Sequence, residues 1–476
     1  VSHSIAVLAH GFGIRYDLPV PLEIYLVAGG AVVVLSFLVV ALFVRAGGEG
    51  IDYPRLGLDR VPLLGALTRS AELRVAGAVV GVIGLLAIIL TGWLGSTSAT
   101  FNPAEYLLWI YFWVGMVLLS ALVGNLYALL NPFAALYDLL SRVLPIRRDG
   151  YRAYPARAGI WPATAGYFVF AFFELASGQA ARPRAVAAAV VIYTLYTLAM
   201  MVVFGRETWL RRGETFSVLF TLIGAFSPLG RERGSTVTGE REDGRDGGLY
   251  LRPWAVGLLR LDRRGWDVVA FLVLTISSLA FDGFSATPPW AALYGSLGDV
   301  QGALNGLGPV VVKGLGLVAF AGLFLAVFLA FIALVHRVGG GSGTDTLTAA
   351  SLFAYTLFPI ALVYNAAHYY SYLVIQGQGL WPLLSDPLRN GANLLPAIAG
   401  YKPSFALADA GLVWYLQVTL IVVGHVLAVY LAHRRALTIY RDARAAVRSQ
   451  VPMLVLMVLY TSVSLWILAQ PITEAG

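Results

Sequence analysis

An all-α, polytopic bundle of about ten transmembrane helices is the fold this sequence predicts, and three observations predict it. The 476 residues are 58% hydrophobic and only 12% charged, with a mean hydropathy of +0.76; soluble domains carry about 25% charged residues. Apolar stretches long enough to cross about 30 Å of hydrocarbon recur along the whole chain. The basic residues fall in alternate loops, as the positive-inside rule requires.

The apolar stretches run near 22–44, 75–94, 106–130, 159–176, 185–204, 266–281, 310–335, 349–376, 408–432 and 452–469. With the N-terminus outside, the loops 45–74, 131–158, 205–264, 336–348 and 433–451 lie inside and hold 27 of the 33 basic residues. Arg15, Arg182, Arg184, Arg389 and Lys402 fall outside, and Lys313 sits at a helix end. Dropping one middle helix would invert every later loop, so the charges support ten spans, with both termini outside, independently of hydropathy. The net charge of +7 and the pI near 9.5 follow from this topology and point to no nucleic-acid partner. The expected surroundings are the lipid bilayer of the cell membrane, and residues 1–476 read as one integral membrane domain. With no cysteine, disulfides, thiolate zinc sites and cysteine nucleophiles are excluded.

Local signals punctuate the spans. The opening VSHSIAVLAH resembles the tail of a signal segment, with His10 just after IAVLA. Asn102-Pro103 and Asn131-Pro132 each put a good N-cap before a proline in the first turn. The second opens PFAALYDLLSRVL, which predicts a short interfacial helix. Between spans five and six, FSVLFTLIGAFSPLG is too short to cross and predicts an interfacial or re-entrant segment. The inner loop 229–264 then contains RERGSTVTGEREDGRDGG, of disordered composition, and LYLRPWAVGLLRLDRRG, which suits a small hairpin. HRVGGGSGTD at 336–345 is a flexible linker, and no inverted repeat is evident.

The polar residues inside the spans are the candidates for function. On the eighth helix, Tyr364, Asn365, His368, Ser371 and Tyr372 are spaced by three or four and share one stripe. An imidazole in hydrocarbon is costly unless it faces protein or water, so His368 is the leading residue; a hydrogen bond to a neighbouring helix is the plain alternative. Gln417 and His425 occupy one side of the ninth helix, and His425 lies nearer the inner face, so His368 and His425 read as steps in one path. His433, beside Arg434 and Arg435, reads as interfacial. Asp282, in AFDGFSATPPW, is either an intramembrane carboxylate or part of a turn closing the sixth helix. Residues 283–308 hold no basic residue, so a partner for Asp282 must come from elsewhere. Glu174 is a second carboxylate near an outer helix end, where Arg182 or Arg184 would pair with it.

His10, Arg15, Asp17, Asp282, Glu174, His368 and Asp386 all fall toward the outer side in this topology. Cleavage after Ala9 would give His10 a free amine, able to chelate a metal together with its imidazole, with Asp17 and His368 as further ligands. Imidazole with carboxylates suits a divalent metal such as zinc, copper or iron, while five Met and no Cys argue against monovalent copper. Walker A, HExxH, GxSxG and CxxC motifs are absent, so ATP-driven transport by this chain, zincin chemistry and the common serine-hydrolase elbow are unsupported.

Several stretches together carry a likeness. They are AHGFGIRYDLPVPL at the N-terminus, NPAEYLLWIYFWVG at 102–115, GRETWLRRGETFSV at 205–218, SSLAFDGFSATPPW at 277–290, YNAAHYYSYLVIQGQ at 364–378, LLSDPL at 383–388, and GHVLAVYLAHRRAL with SQVPMLVLMVLYTSVSLWILAQPI near the end. Over nearly its whole length the chain resembles a family of polytopic membrane proteins of actinobacteria and archaea commonly labelled fenitrothion hydrolases. The resemblance implies hydrolysis of an organophosphate or similar ester, and it assigns no catalytic residue. Two main readings follow. A transporter or channel for a small solute or metal ion would distribute polar residues through the membrane depth. A membrane-embedded hydrolase would gather three or more of His10, Asp17, Asp282, His368 and Asp386 around one metal. The base rate for ten-helix proteins favours transport; a membrane subunit of a larger complex is a third reading.

Overall fold

The computed structural model describes residues 21–43, 53–58, 70–231, 248–340, 344–406, 409–440 and 442–470. Among these residues ten helices are long and apolar enough to cross a membrane, and strand is confined to three short segments. The chain is an all-α integral membrane protein. In order, the helices are α1 (Leu22–Phe43), α2 (Ala71–Leu94), α3 (Pro103–Val123), α4 (Pro132–Val143), α5 (Trp161–Leu175), α6 (Pro183–Phe204), α7 (Arg206–Arg212), α8 (Thr215–Phe226), α9 (Trp266–Ser285), α10 (Gly308–Val338), α11 (Thr346–Ile375), α12 (Ala410–Ile439) and α13 (Ala443–Ala469). All but α4, α7 and α8 are spans.

The chain packs as two compact units, one built on Leu58–Gly224 and Tyr369–Asp409, the other on Ala225–His368 and Ala410–Gly476 together with α1. Helix α11 passes from the second unit into the first after His368.

In the first unit, both Asn-Pro signals start helices as their chemistry demands. Asn102 Oδ1 accepts from Ala104 N and Asn131 Oδ1 from Ala134 N, each at 2.9 Å. Asn102 also ties down the end of α2, its amide donating to the carbonyls of Thr91 at 2.8 Å and Ser96 at 2.6 Å. From Tyr106 to Met116, α3 widens into a π-helix. Helix α8 spans 12 residues, too few to cross, yet Phe216, Val218, Leu219, Phe220, Leu222 and Ile223 are all buried. Protein therefore encloses it, and its length rules out a full crossing. Its N-terminus is capped by Glu214, which is fully buried and accepts from Phe216 N at 3.0 Å, Ser217 N at 2.6 Å and the Tyr193 hydroxyl at 2.5 Å. That carboxyl lies outside the spans, and burial raises it above the usual glutamate range against the pull of these donors.

In the second unit, α9 and the 351–365 portion of α11 form the interior. Every residue of that portion is buried, as is almost all of α9. Helices α1, α10, α12 and α13 pack around them and turn large apolar side chains outward, among them Leu35, Leu315, Leu323 and Val455, as lipid-facing helices do. Close contact depends on small residues. A Cβ at Gly424 of α12 would overlap Val363 of α11.

Three short antiparallel strands, β1 (Leu56–Gly57), β2 (Leu229–Arg231) and β3 (Leu249–Leu251), form a sheet of order β1-β3-β2 at the end of this unit. Leu251 pairs with both Leu56 and Leu229. The segment 249–265 therefore does not close on itself. Its strand pairs with Leu229–Arg231, and Val256–Arg260 forms a 3-10 turn. The carbonyls of Leu258 and Leu261 beyond that strand accept from the buried Arg435 at 3.2 and 2.5 Å. His433 is likewise buried, its Nδ1 2.8 Å from Gln450 Oε1. The polar linker 336–345 lies partly outside the described residues, since α10 continues through Val338 and 341–343 are not described.

Candidate functional site

Asp282 and His368 meet in the second unit. Helix α9 runs on through Gly283 and Phe284 to Ser285, so Asp282 is a helical residue and not a turn residue. Its side chain is 6% exposed, and Oδ2 lies 2.9 Å from His368 Nε2. Since no basic residue follows Asp282 nearby in the chain, the partner arrives from 86 residues away, as an imidazole on α11. A carboxylate can only accept, so a neutral His368 carries its proton on Nε2 when Asp282 is ionised.

One turn below His368, Tyr364 stacks on the imidazole with ring centroids 5.6 Å apart and planes at 11°. The tyrosine hydroxyl lies against the backbone of Gly283, where any Cβ would collide with it and with Ile467. Glycine next to Asp282 thus lets α9 approach α11 closely enough for the pair to form. Tyr364 Oη and Asn365 Oδ1 are both buried, and neither has a hydrogen-bond partner among the described residues.

Helix α12 supplies two more polar groups. The Gln417 amide donates to Ala367 O at 2.9 Å and fastens α12 to α11 one residue before His368. His425 is fully buried, with Nδ1 2.7 Å from Ile421 O one turn earlier in its own helix. A carbonyl oxygen cannot donate, so Nδ1 bears the hydrogen and Nε2 is a bare acceptor, without a partner among the described residues. Gly424, beside His425, packs on Val363. Five residues separate Val363 from His368, which at 1.5 Å per residue places His425 about 7–8 Å further along the helix axis. Tyr364 and Asn365 fall between the two imidazoles on α11. The hydroxyls of Thr275 and Ser277 on α9 bond to carbonyls of their own helix, Phe271 O and Leu274 O.

The other residues read from the sequence are placed differently. Tyr372 belongs to the first unit, where it packs against Tyr106, Ile110, Leu380 and Leu383. Glu174 is half-buried on the last turn of α5 in that unit, and Arg182 donates to Gln179. Asp386 closes a turn, accepting from Asn390 N and Gly391 N at 3.0 Å each. His10 and Asp17 lie outside the described residues, and the metal set built on them with His368 goes with them. Among the described residues no group of three or more His, Asp and Glu side chains is placed to hold a metal.

Sequence reasoning passed over Glu105. It lies 7% exposed at the start of α3, with Oε2 accepting from Trp109 Nε1 at 3.1 Å. Three residues after the N-cap, a glutamate ordinarily reaches back to cap the helix, and that signal hides any other role.

No protein-family profile, no curated protein and no solved structure matches this chain.

Proposed function

We propose that the protein is a proton-coupled transporter of a small solute or metal ion, with Asp282 and His368 as its proton-carrying pair. The observation that carries this reading is the buried carboxylate–imidazole contact at 2.9 Å inside the spans. With one proton the pair is a neutral imidazole hydrogen-bonded to a carboxylate, of net charge −1. With two it is neutral overall. A net negative charge in a low-dielectric interior is costly unless a cation, water or a bound solute compensates it. Release of the second proton is thereby linked to what occupies the site, which is the energetic content of coupling.

The groups beyond the pair support a path. Tyr364 Oη, Asn365 Oδ1 and His425 Nε2 are buried, polar and without hydrogen-bond partners among the described residues, and α11 and α12 bring them into succession. Such groups cost free energy unless water or substrate visits them. Gln417 holds the two helices in register.

The resemblance to fenitrothion hydrolases supplies the competing reading, an ester hydrolase in which His368 joins His10 and Asp17 on a divalent metal. One experiment separates the two. Purified protein in liposomes is tested for uptake of zinc and of a panel of small neutral solutes under an inward proton gradient, and detergent-solubilised protein is tested for hydrolysis of a paraoxon-type phosphotriester. Gradient-dependent uptake that Asp282→Asn abolishes supports transport. Hydrolysis without any gradient, with uptake indifferent to Asp282→Asn, overturns it.

A further inference from the structure

We infer that Glu105 is a reversible proton-binding carboxyl in the first unit, independent of the Asp282–His368 pair. Glu105 closes the first turn of α3, after Asn102 as N-cap and Pro103 as the first helical residue. Oε2 shares the Trp109 indole N–H, which donates to it at 3.1 Å and to Ala180 O at 2.9 Å. Oε1 is buried with no hydrogen-bond partner among the described residues. It does not reach back to the Asn102 N–H, which donates instead to Ala99 O at 3.3 Å, so the capping role that its position suggests is not taken.

Among the described residues, no charge from the elements packed on it compensates it. Helix α2 presents Thr91 and Gly92 at this end, and the Thr91 carbonyl is taken by Asn102. The first turn of α6 carries Arg182 and Arg184, both exposed, with Arg182 donating to Gln179. Leu380–Ser385 brings no ionisable side chain, and the adjacent Tyr106 hydroxyl donates to Thr100 O at 3.1 Å. Glu105 makes no ion pair among the described residues. A buried carboxyl with one oxygen unmet and no counter-charge is satisfied most simply by a proton on that oxygen, since it then has no bare charge to solvate. A second feature marks the same place. The backbone passes directly from Glu105 into the eleven-residue π-helix Tyr106–Met116, and π turns cluster where a helix is remodelled for function. If its only task were to receive the Trp109 N–H, a glutamine amide oxygen would serve as well.

The test compares the intact protein with Glu105→Gln, which keeps the Trp109 acceptor and so the local fold. Infrared difference spectra are recorded across the pH range in which both remain folded, with dicyclohexylcarbodiimide labelling mapped by peptide mass. A protonated-carboxyl carbonyl band present in the intact protein, lost in Glu105→Gln and exchanged for a carboxylate band as pH rises, supports the inference. So does carbodiimide adduct on the Glu105 peptide that falls at least tenfold as pH rises through the same transition. The inference is overturned if the difference spectrum shows only a carboxylate at every pH, or if its carboxylate band responds to added sodium and not to pH. Because Glu105 belongs to the first unit, these outcomes do not depend on whether Asp282 and His368 carry protons for transport.

Discussion

Breaking the Asp282–His368 contact should have an energetic signature that a chance proximity would lack. Asp282→Ala removes a buried acceptor 2.9 Å from Nε2. Breaking a buried pair by deleting one partner costs about 3–5 kcal/mol. His368 retains 22% exposure, so water recovers part of the loss. The lower end of that range, about 3 kcal/mol, is therefore expected. Asp282→Asn keeps an oxygen that can accept from Nε2 and should cost only about 1 kcal/mol. His368→Ala takes the Nε2 contact from a carboxylate that is only 6% exposed and should cost at least as much as Asp282→Ala. The double variant, with neither partner left unmet, should be less destabilised than the sum of the two by about 2–3 kcal/mol. Reversible unfolding in mixed micelles, read by steric trapping, measures all four proteins. Additivity within about 0.5 kcal/mol would refute the pairing and the geometry built on it.

Four further outcomes follow from the same packing. Gly424→Ala inserts a methyl into Val363 and should cost about 1–3 kcal/mol, with a lower melting temperature; an unchanged melting temperature would show that α11 and α12 are not in contact there. His425→Leu removes an acceptor that has no partner among the described residues, so the melting temperature should hold or rise while proton-driven uptake falls; loss of both together would make His425 merely structural. Asn102→Ala deletes a cap, one bond to α2 and one to Ser96 just after it, and should cost about 2–3 kcal/mol by the same unfolding measurement; a cost near zero would deny the cap. Burial raises the Glu214 carboxyl, so the folded chain binds that proton more tightly than the unfolded chain does. Its contribution is then fully present below the unfolded pKa and lost as pH rises through the raised folded value. Glu214→Gln should flatten that decline in melting temperature with pH, and an identical pH profile in both proteins would contradict the assignment.

What could be read from the chain alone follows the reach of each interaction. Spans and their order come from hydropathy and from arginine placement, which are local or additive quantities, and all ten appear where apolar length demands them. Helix α8 was recognisable as too short to cross, but its burial on every side depends on neighbours that a single segment does not announce. His368 was legible because an imidazole in hydrocarbon needs a reason. Its partner was ambiguous because Asp-Gly reads equally well as a turn, and only continuation of α9 through Ser285 removes that alternative. The stripe on α11 divides after His368, so Tyr372 shares helical spacing with His368 but packs within the other unit. Glu105 and Glu214 escaped notice because each occupies a position where a carboxylate at a helix start is ordinary. What distinguishes Glu105 is an oxygen with no donor among the described residues, a property of packing and not of spacing.

The central claim is that protons bind Asp282 and His368 within the membrane. Proton-concentration jumps on protein adsorbed to a solid-supported membrane test it most directly, because proton entry to a site at membrane depth displaces charge even without a known solute. The account predicts transient currents in the intact protein that are lost in both Asp282→Asn and His368→Gln. Currents of equal size in all three proteins would contradict it.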